Sequence, residues 1–381
     1  MVPWRVTRRQ FLAGSVAAGL ASCLGLGGCR QNDESGPDAT APALHPARYF
    51  TPLDDGTIGC RLCFRKCLIR EGNVGFCRNR KNVGGRLYSL VYGHPCAVEV
   101  DPIEKEPVFH MTPGARMLCV ATASCNFRCK SCQNWEISQS GVWDTINYHL
   151  TPEQVVARAL EESCDAISFT YSEPIAFYEY MDDIAVLAKG AGLRTVVHTN
   201  ASLAAEPLQA LLPHIDAVVV DLKGFTSEFY ERMTGGQLEP VLSTLVTVAR
   251  SGVHLEVVNL LIPSLNDDPE TIRRMCAWLR ASAGPDVPLH FLRFFPAYKL
   301  QRVPATPLET LEQAAAIASG EGLHYVYIGN VPGHDRNSTY CPRCGERVVH
   351  RMHFAVLEMK VKDGRCPACR EPIPGTWDRG A

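Results

Sequence analysis

Met117-Leu118-Cys119-Val120-Ala121-Thr122-Ala123-Ser124-Cys125-Asn126-Phe127-Arg128-Cys129-Lys130-Ser131-Cys132 begins as an apolar run and ends in three cysteines. The first half reads as a buried strand, with Cys119 as a small hydrophobe within it, and the C-x3-C-x2-C half as a tight loop at the strand's end. Three thiolates on one loop can hold three irons of a [4Fe–4S] cube and leave the fourth without a protein ligand. Clusters that only transfer electrons normally use four cysteines. An open iron on Cys125, Cys129 and Cys132 therefore points to a small molecule bound there. A zinc or disulfide loop is the other reading of the same residues.

The chain has 381 residues and a formal net charge of −2, with no basic excess that would call for nucleic acid or an anionic membrane surface as partner. Its 17 cysteines fall mostly into clusters. Near the C-terminus, Cys341-Pro342-Arg343-Cys344 and Cys366-Pro367-Ala368-Cys369 are two C-x-x-C knuckles separated by a hairpin-sized insert. Four thiolates in two pairs match a structural zinc ribbon, with a rubredoxin-type iron as the alternative. Nearer the N-terminus, Cys60, Cys63, Cys67 and Cys77 make a third group, flanked by Arg61, Arg65, Lys66 and Arg70. Those four would close a zinc site or hold an auxiliary iron–sulfur cluster, and two disulfides are the remaining reading.

Residues 1–29 have the layout of an export signal: Arg8-Arg9 precedes a small-residue apolar stretch that runs to Gly28. The paired arginines match a twin-arginine signal. Leu26-Gly27-Gly28-Cys29 resembles a lipoprotein cleavage box, with Cys23 as a second candidate for lipidation. The expectation is a lipoprotein on the outer face of a membrane, touching it only through a lipid on Cys29; a cytoplasmic enzyme is the alternative. Residues 30–50, polar and rich in Pro and Ala, read as a flexible tether.

Three folded parts are expected after that: a cysteine-rich region over 51–112, a barrel over 113–335 and a zinc-ribbon-like module over 336–381. The barrel part alternates apolar runs with helical patterns. Its strand candidates are Met117–Thr122, Ala166–Tyr171, Arg194–Thr199, Ala217–Asp221, Leu255–Ile262, Leu289–Phe294 and Tyr325–Ile328. Runs this continuous in Val, Ile and Leu suit parallel strands covered on both faces. Helices are expected to open at Thr151-Pro152, Asp268-Pro269 and Thr306-Pro307. The fold class is α/β, a partial, open TIM-like (β/α)6 barrel. Polar residues gather at the expected strand ends, where barrels carry their chemistry: Ser172-Glu173-Pro174, Asn200, Asp221-Leu222-Lys223, Asn259, His290, Arg293 and Asn330.

The C-x3-C-x2-C spacing is the signature of the radical S-adenosylmethionine (radical SAM) superfamily. From Cys60 to Trp377 the chain resembles the radical SAM enzyme of the AmmeMemoRadiSam group, related to the activating enzyme of pyruvate formate-lyase. The resemblance rests on Tyr88-Ser89-Leu90-Val91-Tyr92-Gly93, Asp101-Pro102-Ile103-Glu104-Lys105-Glu106-Pro107 and Cys132-Gln133-Asn134-Trp135-Glu136. It implies a [4Fe–4S] cluster and S-adenosylmethionine as cofactors and a low-potential electron donor as partner. It also implies a 5′-deoxyadenosyl radical that abstracts hydrogen from a substrate, a protein or a small molecule. Tyr171-Ser172-Glu173-Pro174 stands where the superfamily receives the methionyl amino group, and Thr199-Asn200 where it holds the nucleoside. Asp221-Leu222-Lys223 stands near the carboxylate side. The sequence departs from the pattern in lacking paired glycines before Glu173 and in carrying Ser131 where an aromatic commonly faces adenine. The activase relatives suggest His290, Arg293 and Tyr298 on the substrate side. The rival is an exported iron–sulfur or zinc lipoprotein that carries electrons or binds metal without turnover.

Overall fold

The computed structural model describes residues 44–377. Six short strands open them. β1 (His45–Pro46) pairs with β6 (Arg86–Ser89), and β6 pairs with β5 (Arg80–Val83) across Gly84-Gly85. Both glycines have positive φ, 61° and 71°, which a two-residue hairpin turn of this hand requires. β2 (Phe50–Pro52), β3 (Ile58–Cys60) and β4 (Leu68–Ile69) form a second small antiparallel sheet. The tether expected to reach residue 50 therefore ends earlier, since β1 and the start of β2 are already paired. The expected signal and the rest of the tether lie outside the described residues.

The main sheet follows: β7 (Ala97–Pro102), β8 (Arg116–Ala121), β9 (Ala166–Phe169), β10 (Arg194–Thr199), β11 (Ala217–Asp221), β12 (His254–Leu261), β13 (Leu289–Arg293) and β14 (Val326–Gly329). Its order is β14-β13-β12-β11-β10-β9-β8-β7. All neighbours are parallel except β7 and β8, which run antiparallel with Ala97 opposite Ala121. The seven expected strands are the seven parallel ones. β7 was not expected: Ala97-Val98-Glu99-Val100-Asp101-Pro102 has polar residues on one face and a proline that only an edge tolerates.

Strand alternation divides the core in two. Leu118, Val120, Ile167, Phe169, Val218 and Val220 face the helices, whereas Met117, Cys119, Ala166, Val196, Ala217, Val219 and Val258 face the other way. That second face is filled by Ile103, Val108, Met111 and Ala115 from the segment between β7 and β8. Helix Pro152–Glu161 opens with the expected capping box: Gln154 N–H donates to Thr151 Oγ1 at 3.3 Å and Thr151 N–H to Gln154 Oε1 at 2.8 Å. Asp268 caps helix Pro269–Ala283 with its side chain alone, accepting from Thr271 N–H at 2.8 Å. Thr306 is no cap. It is fully buried and ties β12 to the end of β13, donating to Leu261 O at 2.6 Å and accepting from Phe294 N–H at 3.0 Å.

β15 (Thr339–Tyr340), β16 (Arg347–Met352) and β17 (Ala355–Met359) make the C-terminal antiparallel sheet. Its core, with Val348, Val349, Ile373 and Trp377, packs on Phe109, Tyr325 and Tyr327. The last turn approaches closely enough to need glycine: a Cβ on Gly375 would stand 2.3 Å from His110 O. Arg351 on β16 is fully buried, with its Nη2 donating to Phe109 O at 2.6 Å and its Nε 3.5 Å from Glu104 Oε1. Arg351→Ala would strand the Glu104 carboxylate in the interior, and a cost of about 3–5 kcal/mol in unfolding free energy is expected. Chemical denaturation of both proteins measures it; a difference below about 1 kcal/mol would show that this ion pair does not hold the module.

Candidate active site

The three-cysteine loop leaves the C-terminal end of β8, and its backbone is held from two sides. Arg128 N–H donates to Thr234 O at 2.7 Å, Lys130 N–H to Met233 O at 2.9 Å, and Lys299 N–H to Lys130 O at 3.0 Å. Phe127 anchors the loop, fully buried and edge-on to Phe64 and Tyr230. Cys125 Sγ accepts from Phe127 N–H at 3.2 Å and from Asn200 Nδ2 at 3.8 Å; Cys132 Sγ lies 3.1 Å from Ser138 Oγ. Donors of this kind suit a cluster-bound sulfur. Burial pushes the Cys129 thiol up to about 12 and Cys125 well above its ordinary range. Thiolates here need a bound cation to offset their charge. Cys119 is no fourth ligand: it is fully buried and donates to Glu106 Oε1 at 3.5 Å.

Cys125, Cys129, Cys132, Ser172, Glu173, Asn200, Asp221 and Lys223 all line one cavity of about 480 Å³. Parallel strands end at one rim, so residues far apart in sequence converge there. Glu173 is 2% exposed, and its carboxylate faces the protein as well as the cavity. Oε1 accepts from Thr199 Oγ1 at 2.6 Å and Ile175 N–H at 3.2 Å, and Oε2 from Asn200 N–H at 2.8 Å. Burial pushes its pKa up to about 7 against those bonds. Asn200 Nδ2 donates to Asn126 Oδ1 at 2.7 Å, joining the third strand end to the cysteine loop. The Ser172 hydroxyl is buried in the cavity wall without a partner.

On β10 and at the end of the adjacent β11, Lys223 Nζ lies 2.8 Å from Asp221 Oδ2, His198 Nε2 3.5 Å from Asp221 Oδ1, and His198 Nδ1 3.1 Å from Glu106 Oε2. His198 and Glu106 had no role in the sequence reading, although Glu106 lies within a quoted motif. The available signal was alternation: His198 shares the Val196 face of β10, where a polar side chain must have a partner. Of the expected substrate-side residues, His290 lines the cavity and donates Nε2–H to Glu256 Oε2 at 2.6 Å. Arg293 instead donates to Thr306 O at 2.8 Å, and Tyr298 stacks on Trp135 at 5.2 Å. Asn259 donates to Leu222 O at 2.6 Å, while Asn330 lines the cavity.

The other two cysteine groups lie elsewhere. Cys341 and Cys369 sulfurs are 3.5 Å apart, Cys344 and Cys366 3.7 Å, and all four lie within 4.8 Å of one another. Cys60, Cys63, Cys67 and Cys77 line a separate cavity and are free thiols. The disulfide reading of that group is thereby set aside.

A family model described as the radical SAM superfamily matches residues 119–276, from β8 through the three-cysteine loop and past Lys223. The chain belongs to the radical SAM superfamily. An uncharacterised protein of Methanocaldococcus jannaschii, MJ0808, is 44% identical over 333 residues, 87% of this chain and 99% of that one. A pyruvate formate-lyase-activating enzyme of Clostridium pasteurianum is 26% identical over 170 residues, 43% of this chain and 68% of that one. Among solved structures, a domain of a pyruvate-formate lyase-activating enzyme from Bacteroides vulgatus aligns with a TM-score of 0.39 at 20% identity, covering 43% of this chain and 99% of that one. Radical SAM membership implies a [4Fe–4S] cluster and S-adenosylmethionine. The residues fit both: three thiols, two of them with hydrogen-bond partners on their sulfurs, a neighbouring cavity, and the unpartnered Ser172 hydroxyl in its wall.

Burial works against a charge on His198, but the Asp221 and Glu106 carboxylates override it and hold the imidazole at about 10. A pKa raised from its ordinary value near 6.5 gives stability that is complete below about pH 6.5 and lost as pH rises through about 10. His198→Asn is therefore expected to lower the unfolding midpoint most at pH 6.5, with the gap to wild type narrowing towards pH 10. A gap that stays constant over that range would show the imidazole to be neutral in the folded chain.

Proposed function

We propose that this chain cleaves S-adenosylmethionine reductively and uses the resulting 5′-deoxyadenosyl radical to abstract hydrogen from a substrate. The observation that carries the reading is one cavity lined by a three-cysteine loop and by polar side chains from successive strand ends. When bound, the cluster supplies the electron, drawn from a low-potential donor, that breaks the sulfonium bond. The chain's own residues bind and orient. Cys125, Cys129 and Cys132 would hold three irons. Ser172, with its unpartnered hydroxyl, and Glu173 would meet the methionyl ammonium, a charge-assisted contact. Asn200 would hold the nucleoside side, and Lys223, paired with Asp221, would face the carboxylate.

The finer parts of the reading rest on resemblance. Membership of the AmmeMemoRadiSam group and a protein substrate of the activase kind extend it, and His290 lines the cavity that such a substrate would have to reach. Cys341, Cys344, Cys366 and Cys369 would hold zinc, since their sulfur spacing matches the edge of about 3.8 Å expected for a tetrahedral ion bound at about 2.3 Å. Export as a twin-arginine lipoprotein anchored at Cys29 is proposed from the N-terminal sequence.

The test is anaerobic incubation of reconstituted protein with S-adenosylmethionine and dithionite, following 5′-deoxyadenosine. Wild type is expected to release it, Cys125→Ala, Cys129→Ala and Cys132→Ala to release none above background, and Asn200→Ala about tenfold less. Wild type at background would leave a metal-binding or electron-carrying protein without turnover.

A further inference from the structure

Cys60, Cys63, Cys67 and Cys77 have no part in the cavity that holds the proposed chemistry. They come from separate local pieces. Cys60 ends β3, Cys63 bridges to Leu203 beyond the end of β10, Cys67 precedes β4 and Cys77 lies in the turn before β5. The fold nevertheless brings all four to the wall of one cavity of about 20 Å³. Space of that size exceeds what one water needs, about 10–15 Å³.

The sulfur spacing separates the possible occupants. A single tetrahedral ion draws its four thiolates to within about 3.8 Å of each other. The C-terminal quartet meets that condition with contacts of 3.5 and 3.7 Å. Among the described residues it is the one set of three or more candidate ligands whose donor atoms all lie within 4.8 Å of one another. No three of Cys60, Cys63, Cys67 and Cys77 do so, and the same is true of Cys125, Cys129 and Cys132. A cubane spreads its thiolates over separate irons at its corners, so they stand further apart than around one ion. Every trio drawn from the N-terminal quartet therefore has at least one sulfur pair beyond 4.8 Å, as the three-cysteine loop does and the ribbon does not.

The surroundings agree. Arg80 is 1% exposed and points Nη1 at Cys60 Sγ, 3.8 Å away. Arg65 also lines the cavity and donates Nε–H to Asn126 O at 2.7 Å. Cationic N–H groups on cluster sulfurs offset thiolate charge and tune the potential. We infer that Cys60, Cys63, Cys67 and Cys77 hold a second iron–sulfur cluster, of the [4Fe–4S] type, with every iron bound to a protein thiolate. It has no iron open to a small molecule, so it is confined to one-electron exchange and to bracing the loop beside it. That loop is close: Asn79 Nδ2 donates to Ala123 O at 2.8 Å, Arg128 Nη2 to Phe76 O at 2.6 Å, and Asn126 lines the cavity.

The full-length chain, reconstituted anaerobically, is assayed for iron, sulfide and zinc as wild type, C125A/C129A/C132A and C63S/C77S, with Mössbauer and EPR spectra of each. About eight irons are expected in wild type and about four in each variant. The EPR signal left in C125A/C129A/C132A is expected to be unchanged by S-adenosylmethionine, and that left in C63S/C77S to shift with it. A C125A/C129A/C132A protein that carries zinc in place of iron, or about two irons, would overturn the inference. Should C63S/C77S not fold, wild type against C125A/C129A/C132A decides it alone. Failure of wild type to cleave S-adenosylmethionine would remove the proposed activity and leave the iron count of C125A/C129A/C132A as it was, so the two failures are distinguishable.

Discussion

A buried carboxylate sets the geometry of the whole rim. Glu173 accepts from the Asn200 amide, the Thr199 hydroxyl and the Ile175 amide, so the ends of β9 and β10 are fixed to each other through one side chain. Asn200 then reaches Asn126 Oδ1 and Cys125 Sγ, which passes that register to the cysteine loop. Three loops that would otherwise move independently become one wall. A carboxylate can do this because it offers several acceptor sites in a place where water is excluded, and each bond strengthens as the local dielectric falls.

The same logic of satisfied burial recurs away from the rim. Arg80 against Glu179 holds the N-terminal region to helix Tyr178–Gly190, and Arg351 against Glu104 holds the C-terminal sheet to the segment between β7 and β8. Buried pairs of this kind add little net stability compared with an apolar replacement. Their effect is to penalise any arrangement in which one partner is left alone. Both flanking modules thereby acquire one docking position on the barrel sheet.

On the proposed assignments, thiolate spacing would select the occupant of each of the three cysteine sets. The C-terminal quartet sits on two knuckles whose short spacing draws the sulfurs together, and its sheet shares a core around Val348 and Val349 with Phe109, Tyr325 and Tyr327. The other two sets hang on loops pinned by backbone bonds to neighbouring segments, at Thr234 and Met233 for one and at Ser202 for the other, and no three sulfurs of either set lie within 4.8 Å of one another. The fold does not need one metal chemistry throughout. It sets the sulfur separations, and on the proposed assignments ion or cluster would follow from those.

Most of the sheet was legible in the sequence, because parallel strands covered on both faces must be continuous in apolar residues, and seven such runs became β8 to β14. The cysteine loop and the polar residues after each strand were legible for a related reason: strand ends fall on one rim whatever the loop lengths. Local rules could not foresee β7, whose alternating pattern gains its meaning only from pairing with β8. Nor could they foresee that Thr306 ties two strands instead of capping a helix, or that Glu106 and His198, 92 positions apart, share a proton-bearing contact. Sequence alone thus determined which residues line the candidate site and at which end of the sheet they lie, since periodicity and ligand spacing are local properties. Tertiary structure alone decided which polar groups satisfy one another and how far apart each set of thiolates stands, since both depend on contacts between segments that local patterns leave independent.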